Sequence, residues 1–140
     1  MPLDSEETKN ISMDLWKART DKVPITNPSE IYPEITEKDA YILQNELLSV
    51  ALSNGEIIAG GKIGLSSKAN QKKFGIDTPI YGHLFASMIL PEDEPVDTSK
   101  MFSPVVEPEI CFLLGKELKG PGVNIASVLS ATRGVLPAIE

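Results

Sequence analysis

The residues best suited to chemistry stand in one short run, Glu107-Pro108-Glu109-Ile110-Cys111. Side chains alternate faces along an extended strand, so Glu107 and Glu109 point the same way, roughly 6.5–7 Å apart along the backbone. Carboxylates that close repel each other unless one takes a proton or a cation lies between them. Ligation by oxygen alone suits a hard divalent cation such as Mg2+ or Mn2+. The same spacing also describes two solvated acids on the exposed face of a half-buried strand, the commoner use of acidic alternation. A third carboxylate would favour the metal, and the last apolar run, Val135-Leu136-Pro137-Ala138-Ile139-Glu140, ends in one. Periodicity does not say whether Glu140 converges on the other two. Cys111 shares their parity, but a hard cation has little use for thiolate, so its expected role is packing.

The elements that must carry these groups follow from pattern and punctuation. Val106, Ile110, Phe112 and Leu114 alternate with the acids and are expected to meet the core across a strand at 105–114. Pro108 has no N–H to give to a ladder, which places that strand at an edge or gives it an irregularity. Upstream, 56–64 reads as a strand, β-branched at Ile57, Ile58 and Ile63, with a bulge or close backbone approach at Gly60-Gly61. Ser66-Ser67 can cap a short helix through Lys73, which Gly75 can end. Asp77-Thr78-Pro79 marks a turn, 84–90 is a further apolar strand, and His83 is expected in a turn. Asn124 can cap a helix through Thr132, and 134–140 begins a fourth strand.

Helices dominate the first third. Thr36 with Asp39 three residues on fits a capping box. Ala40, Leu43, Leu47 and Val50 then line one face, and Asn54-Gly55 supplies a left-handed stop. Residues 4–20 carry Ile11, Leu15 and Ala18 at helical spacing, a thin stripe that must dock on something larger. Between these helices, 23–33 contains three prolines and reads as an extended connection.

Composition bounds the function. With 140 residues, 41% hydrophobic and 24% charged, the chain is one domain's worth of sequence. A net charge of −7 repels phosphate backbones and anionic lipid, which argues against nucleic-acid and membrane-surface partners. One cysteine excludes an intrachain disulfide framework and points to a reducing compartment. No apolar run approaches the ~18 residues of a membrane span, and the acidic first ten residues do not resemble a secretory signal, so a cytoplasmic location is expected. Eleven prolines and ten glycines argue against an all-helical bundle.

Five blocks then stand in order: Gly61-Lys62-Ile63-Gly64-Leu65-Ser66-Ser67-Lys68, Pro79-Ile80-Tyr81-Gly82-His83-Leu84, Glu107-Pro108-Glu109-Ile110, Lys119-Gly120-Pro121-Gly122 and Leu136-Pro137-Ala138-Ile139-Glu140. In that order and spacing the chain resembles the 2-keto-4-pentenoate hydratases (2-hydroxypentadienoate hydratases) of the fumarylacetoacetate hydrolase superfamily, from about Tyr32 to the last residue. The resemblance implies an α+β fold: a helical N-terminal region, 1–55, followed at 56–140 by the first part of a β-rich catalytic domain, a mixed β-sandwich or roll. Family members are nearly twice as long, so it implies an incomplete domain. It also implies a Mg2+ or Mn2+ ion held by Glu107, Glu109 and Glu140, and an acid/base or orienting role for Lys62. Ser66, Ser67 and Lys68 would help bind the substrate carboxylate, with Asp77 and Tyr81 behind them.

The implied reaction adds water to a 2-hydroxy-2,4-dienoate to give a 4-hydroxy-2-oxo acid in the breakdown of aromatic compounds. The neighbouring alternative in the superfamily is a 4-oxalocrotonate-type decarboxylase. A third reading is an inactive fragment or subunit that needs a partner. The implied partners are a small 2-hydroxydienoate or 2-oxo acid and further copies of the chain in a homo-oligomer.

Overall fold

The computed structural model describes residues 3–102 and 104–139. They fall into two compact units, Met1–Lys100 and Met101–Glu140.

The first unit is built on two long helices, α1 (Ser5–Asp21) and α3 (Glu37–Ser53), joined through a one-turn helix α2 (Pro28–Ile31). Local capping explains where they start. The Asp4 carboxylate accepts from the backbone N–H groups of Glu6 and Glu7, both at 2.8 Å, and the Glu7 carboxylate accepts from Asp4 N–H at 3.0 Å. Thr36 and Asp39 form the expected box: Asp39 N–H donates to Thr36 Oγ1 at 3.2 Å, and Thr36 N–H donates to the Asp39 carboxylate at 3.0 Å. The Thr36 hydroxyl adds a 2.6 Å bond, and these donations from Thr36 hold the Asp39 carboxyl below the usual carboxylate range. The thin stripe of α1 docks on α3, where Ile11, Leu43, Val50 and Ala51 are buried and the fully buried Ser12 hydroxyl donates to Leu43 O. Arg19 lies over the Phe85 ring at 5.5 Å, which covers one side of that buried residue.

The expected extended connection at 23–33 is corrected by α2. Proline is well suited to the first helical position, where its missing N–H costs nothing. Pro28 starts the turn, and Tyr32 N–H closes it on Pro28 O at 2.8 Å.

After α3, β1 (Ile58–Gly64) pairs antiparallel with β2 (Ile80–Phe85), and α4 (Lys68–Phe74) lies in the excursion between them. The register shifts between Ile58 and Gly60, as the paired glycines led one to expect. The expected strand at 84–90 is corrected: β2 begins and ends earlier, and Ala86–Met88 form a 3-10 turn. Ala86 N–H closes on Ile57 O at 2.8 Å, beyond which β1 offers no further partner and Ile89 N–H turns back to Ala86 O. His83 therefore sits in a strand, opposite Gly61, and not in a turn.

In the second unit β3 (Pro108–Leu114) pairs antiparallel with β4 (Thr132–Ile139), which follows α5 (Ile125–Ala131) directly. The strand starts at Pro108, not at 105, because the ladder to β4 begins with the Pro108–Ile139 pair. The apolar face expected to meet the core does not do so within this unit. Val106, Ile110, Phe112 and Leu114 are all exposed, as are Leu113, Val135 and Leu136 on the same hairpin. A two-stranded ribbon supplies no facing layer, and Ala131 is the one buried hydrophobic residue among the described residues of this unit. The α+β class stands, with the β part made of two small antiparallel sheets.

Candidate functional site

Lys62 occupies the middle of β1, half-buried, directly opposite Gly82. Residues paired across an antiparallel ribbon share a face. Lys62 therefore lies on the face of Gly60, Gly64 and Gly82, where three neighbours carry no side chain beside its ammonium stem. Tyr81 pairs with Ile63 and stands on the opposite face. The structure thus separates Lys62 from Tyr81 by the thickness of the ribbon. Tyr81 stacks on Tyr41 of α3, with ring centroids 4.6 Å apart and planes 15° from parallel, and its N–H points to the Tyr41 hydroxyl at 3.4 Å.

The segment leaving β1 holds the other expected substrate residues. Ser66 is exposed. Ser67 caps α4, its hydroxyl oxygen accepting from Asn70 N–H at 3.1 Å, and Gly75 ends the helix at φ 71°. Lys68 Nζ donates to Gln71 Oε1 at 2.8 Å and to the backbone oxygen of Asp77 at 3.0 Å. Gln71 Nε2 in turn donates to Leu65 O at 2.8 Å. Gln71 is 2% exposed, and Leu65 is left-handed at φ 52°. Lys68 and Asp77 are thus brought together, by a hydrogen bond to the Asp77 backbone. They border a cleft of about 610 Å3 with Glu37, Gln71, Lys72 and Ile76. Lys62 does not line that cleft, so its volume is no guide to the chemistry. Nothing in the sequence marked Gln71, although a polar residue three positions after Lys68 on a short helix is the spacing at which such a pair meets.

In the second unit, Glu107 is exposed just ahead of β3 and Glu109 is half-buried within it, opposite Ala138. Glu140 lies outside the described residues. Among the described residues no group of three or more His, Cys, Asp or Glu side chains could hold a metal. The donors offered at the start of β3, the carboxylates of Glu107 just ahead of it and Glu109 within it, with no histidine in this unit, match a hard divalent cation in kind. Cys111, opposite Leu136, is exposed and so does not pack within its unit. No helix is long and apolar enough to cross a membrane among the described residues.

No family model matches the chain. The 4-oxalocrotonate decarboxylase of Pseudomonas sp. (strain CF600) is 38% identical over 136 residues, covering 97% of this chain and 49% of that protein. The 2-oxo-hept-4-ene-1,7-dioate hydratase of Escherichia coli is 37% identical over 130 residues, 93% of this chain and 49% of that one. The 2-hydroxypent-2,4-dienoate hydratase of Pseudomonas putida is 34% identical over 139 residues, 99% of this chain and 63% of that one. Among solved structures, 4-oxalocrotonate decarboxylase from Pseudomonas putida G7 superposes with a TM-score of 0.93 at 33% identity, both complexed with magnesium and adipate and complexed with calcium and acetate. That match covers 99% of this chain and 52–53% of the decarboxylase. The chain spans about half the length of the curated relatives it matches.

Proposed function

From the homology of this chain, over about half their length, to the 2-keto-4-pentenoate hydratases and 4-oxalocrotonate decarboxylases of the fumarylacetoacetate hydrolase superfamily, we propose that it serves a divalent-metal-dependent hydratase of aromatic-compound catabolism. The reaction adds water to a 2-hydroxy-2,4-dienoate and yields a 4-hydroxy-2-oxo acid. One observation supports the metal in this reading. The solved decarboxylase, in a fold matched at a TM-score of 0.93, holds a divalent cation together with a carboxylate molecule.

Glu107, Glu109 and Glu140 would hold Mg2+ or Mn2+, and the bound ion would supply Lewis-acid polarisation of the substrate's 1-carboxylate and 2-oxygen. The rest falls to side chains. The 2-hydroxyl loses its proton as C5 gains one, which leaves an unsaturated ketone; water then adds its oxygen at C4 and a proton at C3. Lys62 is the group assigned to proton transfer or substrate orientation. Its half-buried position supports this, with open backbone two residues away at Gly60, where nothing stands within 4 Å of an added Cβ, while Ile80 and Gln44 lie against Gly64 and Gly82. Ser66, Ser67 and Lys68 would contribute to the carboxylate's surroundings. Lys68 and Ser67 already serve the loop itself, so any contribution of theirs is joined to holding the loop's shape.

The test is direct. With Mg2+ present, the protein should consume 2-hydroxypent-2,4-dienoate and release the 4-hydroxy-2-oxo acid, and Lys62→Met should abolish turnover while Mg2+ affinity persists. Turnover that survives Lys62→Met removes that residue from the mechanism. A second reading, decarboxylation, is favoured by the 38% identical relative and by the two solved structures described above, both of a 4-oxalocrotonate decarboxylase. Release of CO2 from 4-oxalocrotonate without hydration of the dienoate would select it. Binding of Mg2+ with neither reaction would make the chain a subunit that needs a partner polypeptide. Assembly as a homo-oligomer belongs to the same proposal and is read by sedimentation.

A further inference from the structure

We infer that Gln71 is a positioning residue: with Lys68 it ties together the two ends of the 65–79 excursion and so fixes the strand register that sets Lys62 opposite Gly82. The inference rests on reading Lys62 as the proton-transfer residue. Three bonds make the tie: Gln71 Nε2 to Leu65 O at 2.8 Å, Lys68 Nζ to Gln71 Oε1 at 2.8 Å, and Lys68 Nζ to Asp77 O at 3.0 Å. Leu65 is the first residue beyond β1, and Asp77 stands three residues ahead of β2. The chain of bonds therefore closes the neck of the loop next to the ribbon.

Two features make such a tie necessary. First, β1 carries glycine at 60, 61 and 64, and a glycine-rich strand specifies its register weakly because few side chains are lost by a slip. A slip of one residue would carry Lys62 to the other face of the ribbon. Second, Leu65 has φ 52°, a left-handed conformation that a side chain disfavours. A hydrogen bond from a nearly fully buried amide to its carbonyl opposes relaxation toward the extended region. Lys68 sets which end of that amide faces Leu65. An ammonium has donors alone and must meet Oε1, which leaves Nε2 to donate.

The test uses the whole protein with three substitutions: Gln71→Met, which keeps the buried volume and removes both bonds, Leu65→Gly, which tolerates the left-handed backbone without help, and their combination. In Gln71→Met, amide hydrogen exchange across 60–64 and 81–84 should accelerate about tenfold, while α1 and α3 keep wild-type protection and show that the fold persists. Leu65→Gly alone should stay within about threefold of wild type, and in the double variant it should recover most of the loss. A residue that merely packs α4 would not be rescued from 65. On the dienoate, Gln71→Met should lower kcat, and the double variant should recover it. Unchanged exchange in Gln71→Met, a loss shared by α1 and α3, absence of rescue, or unchanged kcat despite faster exchange would each overturn the inference. If the wild type itself turns over no dienoate, the hydratase reading fails, and the tie is judged by the exchange series alone.

Discussion

The stack of Tyr41 on Tyr81 joins α3 to the β1–β2 ribbon, and its worth can be predicted. Rings at 4.6 Å and 15° lie within the range in which aromatic pairs contribute about 0.5–1.5 kcal/mol beyond the area they bury. Tyr81 is 51% exposed, so water competes for one of its faces, and the expected coupling is in the lower half of that range, about 0.5–1 kcal/mol. The bond from Tyr81 N–H to the Tyr41 hydroxyl is long at 3.4 Å and adds little. Urea denaturation of wild type, Tyr41→Leu, Tyr81→Leu and the double variant, followed by far-ultraviolet circular dichroism, isolates the pairwise part. Leucine keeps apolar bulk at each position, so the cycle reports the ring contact more than lost burial. A coupling within about 0.3 kcal/mol of zero would refute the stack as a stabilising contact. Tyr81→Phe separates structure from substrate, since the ring stays and the hydroxyl goes. The stack alone predicts an unchanged KM for the dienoate, whereas a severalfold rise would assign that hydroxyl to the substrate.

Leu43→Ala should cost about 2–5 kcal/mol, because Leu43 is 4% exposed at the α1–α3 contact; a loss below about 1 kcal/mol in chemical denaturation would show that the contact is not the centre of this unit. Thr36→Ala should cost about 1 kcal/mol of stability through loss of the cap, again read from denaturation midpoints. The Asp39 carboxyl, held down by the hydrogen bonds from Thr36, stabilises the fold fully above its ordinary value of 3.8 and loses that contribution as pH falls through its lower folded value. Asp39→Asn should therefore approach wild-type stability at acid pH and fall below it near neutrality, and parallel curves at all pH values would contradict the assignment. Glu107→Gln and Glu109→Gln should each lose Mg2+ affinity and turnover together in calorimetric titration and dienoate assays; unchanged affinity would sink the metal assignment.

What could be read in the sequence was what neighbouring residues decide among themselves. Thr36 with Asp39, Ser67 with Gly75, and Asn124 ahead of α5 act within a turn or two, and each cap forms as expected. The local Tyr-Gly-His run resembles a turn, whereas the strand membership of His83 depends on a partner more than twenty residues away, Gly61. The one-turn helix at Pro28 was hidden by proline density, which signals a turn as readily as an extended segment. Burial of Ile110 and Phe112 could not follow from alternation, which orders residues by face but supplies no layer to cover either face. Gln71 is not legible in the sequence for a similar reason: its partners are a backbone carbonyl and a lysine, and backbone carbonyls leave no trace in composition.

The β3–β4 hairpin has a consequence for how substitutions there will behave. In an ordinary half-covered ribbon, polar replacements at alternate positions differ sharply in cost, and the difference tells inside from outside. Here Ile110 and Phe112 on one parity and Leu113 on the other are each at least half exposed within their unit, so serine at any of them should change that unit's own stability by little. Any cost measured beyond that is contributed by whatever lies against the hairpin in the working protein. A scan along 110–114 therefore acts as a gauge of surroundings, and the parity that proves sensitive identifies which side of the ribbon is occupied.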